Sequence, residues 1–154
     1  MTQEKSYLSK EKYAELTKEL EYLTHQRRKE IAEALESAKA LGDLSENAEY
    51  HAAREAQAAV EERVMQIEEI LRNAVIMTAK HRTDVVGIGS VVTITKGEGK
   101  KTYTIVGSEE ADLAQGKISN QSPLGKAIFG KKKGETFSYV TPQGTVKGTI
   151  LEIQ

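Results

Sequence analysis

The sequence has no cysteine, no tryptophan, two prolines and only 5% aromatic residues in 154 positions. Each shortage excludes something. Without cysteine there is no disulfide scaffold, no thiolate-ligated zinc site and no thiol nucleophile. No stretch approaches the roughly 18 consecutive apolar residues that a membrane-spanning helix requires. The opening residues, MTQEKSYLSK, lack the apolar core of a secretory signal, and a cytoplasmic location is expected. An excess of one charge is missing too, since 22 basic and 23 acidic residues leave −1. Such a balance argues against a nucleic-acid partner, unless the charges are unevenly placed.

They are uneven. Residues 1–79 hold 11 Lys/Arg, 16 Asp/Glu, one Gly and no Pro, whereas residues 80–154 hold 11 Lys/Arg, 7 Asp/Glu, 11 Gly and both Pro. The chain is long enough for two small domains. The shift in glycine and charge divides it into 1–79 and 80–154, with the boundary in the polar stretch Lys80–Gly89.

The first region reads as two long helices. Apolar residues Tyr13, Leu16, Leu20, Leu23, then Ile31, Ala34, Ala38 and Leu41 recur at steps of three and four, the seam of a coiled coil. Between Leu23 and Ile31 the spacing gains a residue, a stutter that relaxes the supercoil. Ser9 can cap the start, and a helix from Lys10 to Leu41 would be about 48 Å long. Gly42 ends it. The second seam runs Ala53, Ala56, Val60, Arg63 or Val64, Ile67, Ile70 and Ala74. A short turn makes the two helices antiparallel, pairing Ala38 with Ala53, Ala34 with Ala56, Leu23 with Ile67 and Leu20 with Ile70. Arg27 would meet Arg63, with Glu30 to neutralise the layer. With no third helix in this region, the hairpin is expected to project at least in part as a stalk, suited to carrying its tip to a distant place.

The second region reads as a small β-rich domain. Strands are expected at Val91–Thr95 and Thr102–Val106 around a Lys96–Gly99 turn. Two more are expected at Thr136–Val140 and Thr145–Ile153 around Thr141–Gly144. Ser122-Pro123 opens a short helix that Gly130 closes. The fold class is therefore α+β.

Function points to the turn Gly42-Asp43-Leu44-Ser45-Glu46-Asn47-Ala48-Glu49-Tyr50. Two readings stand side by side. In one, Asp43 is a turn residue, Ser45 an N-cap, and Glu46 and Glu49 are acids that suit a helix start. In the other, Asp43 and Glu46 hold a hard cation, which prefers oxygen ligands. Mg²⁺ is often bound through one or two carboxylates plus groups supplied from elsewhere. Leu44 could touch a partner, and Tyr50 is either a seam residue or an exposed aromatic. Lys39 and Arg54 flank the turn, with Arg27, Arg28 and Lys29 further along. They are either solvated residues paired with acids at i±4 or a patch for an RNA backbone. His25, His51 and His81 share no metal-ligand spacing. Gly97-Glu98-Gly99 is a hairpin turn rather than a phosphate loop, and Lys131–Lys133 is a solvated turn.

The run GDLSENAEYHAARE, Gly42 to Glu55, resembles the hairpin tip of the bacterial Gre transcript cleavage factors. SPLGKAIFGKKKGE, Ser122 to Glu135, and IVGSEEAD, Ile105 to Asp112, resemble their C-terminal signature. The similarity covers almost the whole chain in order, and the modest basic cluster fits the GreA type better than the GreB type. The resemblance implies a coiled-coil hairpin followed by an FKBP-like domain. It implies a factor that binds backtracked RNA polymerase, docks its second domain at the rim of the secondary channel and threads the hairpin toward the active centre. Asp43 and Glu46 match the acids that help hold a second Mg²⁺ shared with the polymerase and position a water for cleavage at the nascent RNA 3′ end. Lys39 and Arg54 match the basic patch that contacts RNA, and Leu44 and Ser45 are tip contacts. The factor is then a monomer, not itself an enzyme, that binds no metal tightly alone. It joins a DNA-binding assembly. Competing readings are a channel-binding inhibitor without cleavage, a prolyl isomerase and a coiled-coil adaptor. The acid pair disfavours the first. The few aromatics, needed for a core, disfavour the second.

Overall fold

A computed structural model describes residues 4–77 and 83–154. Its contacts divide the chain into two compact units, Tyr13–Asn73 and a second made of Met1–Lys12 with Ala74–Gln154. Residues 4–12 and 74–77, grouped with the hairpin on composition, thus belong with the sheet. They pair with each other as the parallel strands β1 (Ser6–Leu8) and β2 (Ala74–Ile76), in register Ser6 to Ala74 and Leu8 to Ile76, a two-stranded sheet apart from the main one. Strands of three residues carry no readable alternation. Lys80–Arg82, including His81, lie outside the described residues.

In the hairpin unit, α1 (Lys10–Tyr22) continues into α2 (Arg28–Lys39) through one π-helical turn, Leu23–Arg27, where the Arg28 N–H reaches the Leu23 carbonyl. This is the irregular spacing seen in the sequence. The extra residue is absorbed by a wider turn rather than by breaking the helix. Ser9 does cap α1, its Oγ accepting from the Lys12 N–H at 3.1 Å. Helix α3 (Ala48–Arg72) returns, and the cross-hairpin contacts run in antiparallel order, Asn47 to Ala38, Glu61 to Arg28 and Arg63 to Glu19.

The seam buries Ile31, Val60 and Val64, with Leu20, Leu23, Leu35 and Ala56 packed against them. Ala38 and Ala53 are buried nearer the turn. Three expected seam residues are not in the seam, and one of them, Ala74, lies past the end of α3 in strand β2. Ala34 and Leu41 are exposed, and Leu35 takes the inward position. The π turn rotates the following helix, so the inward steps beyond Ile31 are four then three rather than three then four. The polar layer also differs. Arg63 pairs with Glu19 through two hydrogen bonds of 2.7 and 3.0 Å, while Glu30 holds Arg27 within one helix at 3.1 Å. Arg28 is bound across the hairpin by Glu61 through two bonds of 2.8 Å. That pairing raises the guanidinium pKa and lowers the carboxyl one. Exposed ion pairs contribute about 0–1 kcal/mol each. Their bidentate geometry matters more for fixing helix register.

The five-stranded sheet keeps the expected strands in their expected order and adds one more. Strands β3 (Val91–Lys96), β4 (Gly99–Val106), β5 (Lys117–Ser119), β6 (Thr136–Thr141) and β7 (Gly144–Ile153) form one mixed sheet in the order β5-β4-β3-β7-β6. The parallel strand β5 is the element the sequence pattern did not reveal. A bulge between Thr93 and Ile94 shifts the β3–β7 register, and Thr95 Oγ1 accepts the Thr149 N–H at 2.9 Å there. Helix α4 (Pro123–Ile128) starts as expected, with Ser122 Oγ accepting from the Gly125 N–H at 3.0 Å. Its Leu124 and Ile128 join Val92, Ile94, Tyr103, Ile105, Phe137 and Ile150 in the core. The protein is thus α+β, a helical hairpin region and a curled mixed sheet.

The entry to α1 is clamped by residues about a hundred positions away. Glu110 Oε1 accepts from Ser9 Oγ at 2.6 Å, and its Oε2 accepts from the Ser9 N–H at 3.0 Å. Beside it, a Cβ on Gly107 would stand 2.0 Å from the Tyr7 carbonyl oxygen, so only glycine allows this approach. Glu110→Ala should therefore lower stability by roughly 1–3 kcal/mol, as loss of a charge-assisted partner does. Gly107→Ala should cost at least as much, because backbone must move. Chemical denaturation would measure both, and a wild-type midpoint for either variant would contradict this role.

Candidate functional site

The turn between α2 and α3 begins where helical hydrogen bonding fails. The Leu41 N–H still reaches Ala38 at 3.1 Å, and Gly42 then adopts φ +120°, a region that residues with a Cβ rarely enter. Asp43 folds the next residues around itself. Its Oδ1 accepts from the Ser45 N–H at 3.0 Å and from Ser45 Oγ at 2.8 Å, the self-bonding turn that Asp favours.

Ser45 is therefore not the N-cap. Its hydroxyl is already directed at Asp43, and the cap moves two residues on to Asn47. Asn47 Oδ1 accepts from the Tyr50 N–H at 3.1 Å, and its Nδ2 donates to the Ala38 carbonyl at 2.7 Å. One side chain thus satisfies an unpaired amide at the start of α3 and adds a second donor to the Ala38 carbonyl at the end of α2, which also takes the Leu41 N–H. His51 Nε2 lies 3.3 Å from the Ser45 carbonyl, and its ring meets the half-buried Tyr50 edge-on at 5.8 Å between centroids. Sequence reading missed Asn47 and His51. Asn47 was legible as a second eligible cap residue, whereas nothing in the spacing marks His51.

The expected site residues fall on this turn and beside it. Asp43, Leu44, Ser45, Glu46 and Glu49 are all exposed. Hydrogen bonds from the Ser45 main chain, then from its hydroxyl, hold the Asp43 carboxyl below the ordinary carboxylate range. Lys39 lies in the last turn of α2 and Arg54 in the second turn of α3, both exposed; Arg54 reaches Gln57 at 3.4 Å. The Arg27 and Arg28 guanidiniums are engaged by Glu30 and Glu61, which leaves Lys29, Lys39 and Arg54 as the less neutralised cations of the series.

The donor chemistry suits a hard cation only in part. Asp43 is held ionised with one oxygen committed to Ser45, and Glu46 is open to solvent. Among the described residues no three His, Asp or Glu side chains are grouped to hold a metal ion. Two carboxylates fit as part of an octahedral Mg²⁺ shell that other molecules must complete. On the sheet unit, a groove of about 610 Å³ is lined by Lys131, Phe137, Lys147 and neighbouring small residues. It carries no acid or histidine for proton transfer. Among the described residues no helix is long and apolar enough to cross a membrane.

Two measurements test the turn. Asp43 should titrate below an ordinary aspartate in carbon-detected NMR. A carboxyl lowered on folding adds stability above its unfolded pKa and loses it as pH falls through the folded pKa, so the turn should loosen in acid. Ser45→Ala should raise the midpoint only partly, because the main-chain donor remains; an unmoved midpoint would contradict the hydroxyl contact. Asn47→Asp should keep the cap but put an anion against the Ala38 carbonyl. It should speed amide exchange at 41–47 relative to wild type, and equal protection would contradict the clamp.

Two family models match the chain in tandem, "Transcription elongation factor, N-terminal" over residues 6–76 and "Transcription elongation factor, GreA/GreB, C-term" over residues 80–154. The chain is 45% identical to transcription elongation factor GreA of Geobacillus kaustophilus over 100% of both chains. It is 44% identical to that of Bacillus subtilis over 99% of both. Among solved structures, GreA factor homolog 1 of Thermus thermophilus aligns at 29% identity over 98% of this chain and 99% of its own, with a TM-score of 0.46, too low to carry the fold by itself. The two models together span the hairpin and the sheet in the order of the sequence, and the chain belongs to the GreA/GreB family of transcription elongation factors.

Proposed function

We propose that this factor enters the secondary channel of bacterial RNA polymerase, brings the Asp43–Glu46 turn to the active centre, and stimulates the polymerase's own Mg-dependent cleavage of nascent RNA in backtracked complexes. Elongation then restarts from the new 3′ end. The observation that supports this most is the state of the two acids. They sit on a turn bonded to itself and to both helices, with Asp43 held ionised and Glu46 without a hydrogen-bond partner among the described residues. Carboxylates so placed await ligands from elsewhere.

Asp43 and Glu46 would complete the shell of a Mg²⁺ shared with the polymerase and RNA, and a bound metal at such a site supplies Lewis-acid stabilisation of the developing phosphoryl charge. The roles of the chain's own residues are simpler. Asp43 presents Oδ2 while Ser45 fixes Oδ1, and Glu46 supplies a second anionic oxygen that can orient a water for attack. Lys39 and Arg54 attract the phosphates of the extruded RNA. Leu44 and Ser45 contact the channel wall. The factor is not an enzyme alone, since it contributes only part of a catalytic shell. It acts as a monomer in the cytoplasm, with the sheet domain docked at the channel rim, and the Ser122–Gly130 region is the surface we assign to that contact.

A second reading is a channel-binding inhibitor without cleavage. Both acids are retained here, which favours stimulation. On a stalled, backtracked complex, wild-type protein should shorten the RNA. Asp43→Ala and Glu46→Ala should each lower the stimulated rate on the order of 10²-fold or more while leaving polymerase binding intact. Persistence of full-length RNA with the wild-type protein would favour the inhibitor.

A further inference from the structure

We propose that His51 is a positioning residue for the acidic turn, holding Asp43 in place through Ser45. The inference deepens the proposed role of the turn and rests on it. His51 stands in the first turn of α3, whose start is fixed by Asn47. Its Nε2 is 3.3 Å from the Ser45 carbonyl oxygen. A carbonyl only accepts, so Nε2 carries the hydrogen and donates. The same residue, Ser45, gives its N–H and Oγ–H to Asp43 Oδ1. The links therefore run from a capped helix to an imidazole, to the carbonyl of Ser45, and through that one residue's N–H and hydroxyl to the carboxylate.

This link joins helix α3 directly to the segment carrying the acids. Asn47 ties α3 back to Ala38 in α2, but among the described residues its side chain makes its hydrogen bonds to Ala38 and Tyr50 and not to residues 43–46. Without His51, the peptide of Ser45 would follow α3 only through the covalent chain. The edge contact with Tyr50 limits the ring's swing. A carboxylate that must complete a metal shell is sensitive to small displacements. Because the imidazole bonds main chain, the side chain at position 45 can vary without losing the His51 contact.

The test is cleavage on a stalled, backtracked complex with the full-length protein, with its concentration varied to separate maximal rate from half-saturation. His51→Leu should lower the maximal stimulated rate roughly tenfold and change half-saturation less than about twofold. His51→Gln, whose amide Nε2 offers a donor at similar reach, should return the rate to within about twofold of wild type. An unaffected His51→Leu, a His51→Gln as impaired as His51→Leu, or a loss confined to half-saturation would each overturn the inference. Asp43→Ala in the same assay separates it from the reading beneath. Retained stimulation in Asp43→Ala overturns the role of the turn itself. Its loss beside an unaffected His51→Leu overturns the positioning role alone.

Discussion

One asparagine closes the end of the hairpin, and the presentation of the acids depends on it. Where two long helices meet at a turn, the last carbonyls of one and the first amides of the other lack intrahelical partners. Asn47 satisfies one such amide, at Tyr50, and binds the Ala38 carbonyl alongside the Leu41 N–H. The helix ends are thereby held together by side-chain chemistry where the seam offers only alanines, Ala38 and Ala53. Small residues allow a thin tip but give little apolar burial. Polar closure replaces core at this end, while Ile31, Val60 and Val64 supply it further along.

The closed turn explains why its acids can be exposed and still ordered. Asp43 uses one oxygen to fold the loop around Ser45, and those same bonds keep it ionised. A structural role and a functional one, which compete on sequence alone, are compatible in this geometry because a carboxylate has two oxygens. Glu46 is the complement, a carboxylate with no structural duty among the described residues. The net charge of −1 is then a sum over dissimilar parts, an acidic hairpin and a basic sheet region. It says little about what either part meets.

Much of this was legible in the sequence, and the failures have physical causes. The three-four spacing located both helices, and the extra residue between Leu23 and Ile31 marked the π turn. The turn's phase effect was not readable, so Ala34 was placed inside where Leu35 packs. Ser45 and Asn47 are both good capping residues. Choosing between them required knowing that Asp43 had already taken the serine hydroxyl. Strands β1, β2 and β5 are three residues each, too short for alternation to register. The Glu110 clamp on Ser9 joins residues about a hundred positions apart, beyond the reach of local patterning. The hairpins of the sheet and the Ser122-Pro123 helix start were readable because turn and cap chemistry is local.

The central claim is that the turn supplies ligands to a metal site it cannot complete alone. The most direct measurement is a Mg²⁺ titration of RNA cleavage by a backtracked polymerase, with and without this protein. The account predicts that the wild-type protein lowers the Mg²⁺ concentration for half-maximal cleavage and that Glu46→Gln, which still binds polymerase, removes that shift. An identical Mg²⁺ dependence with and without the protein, at an increased rate, would contradict it.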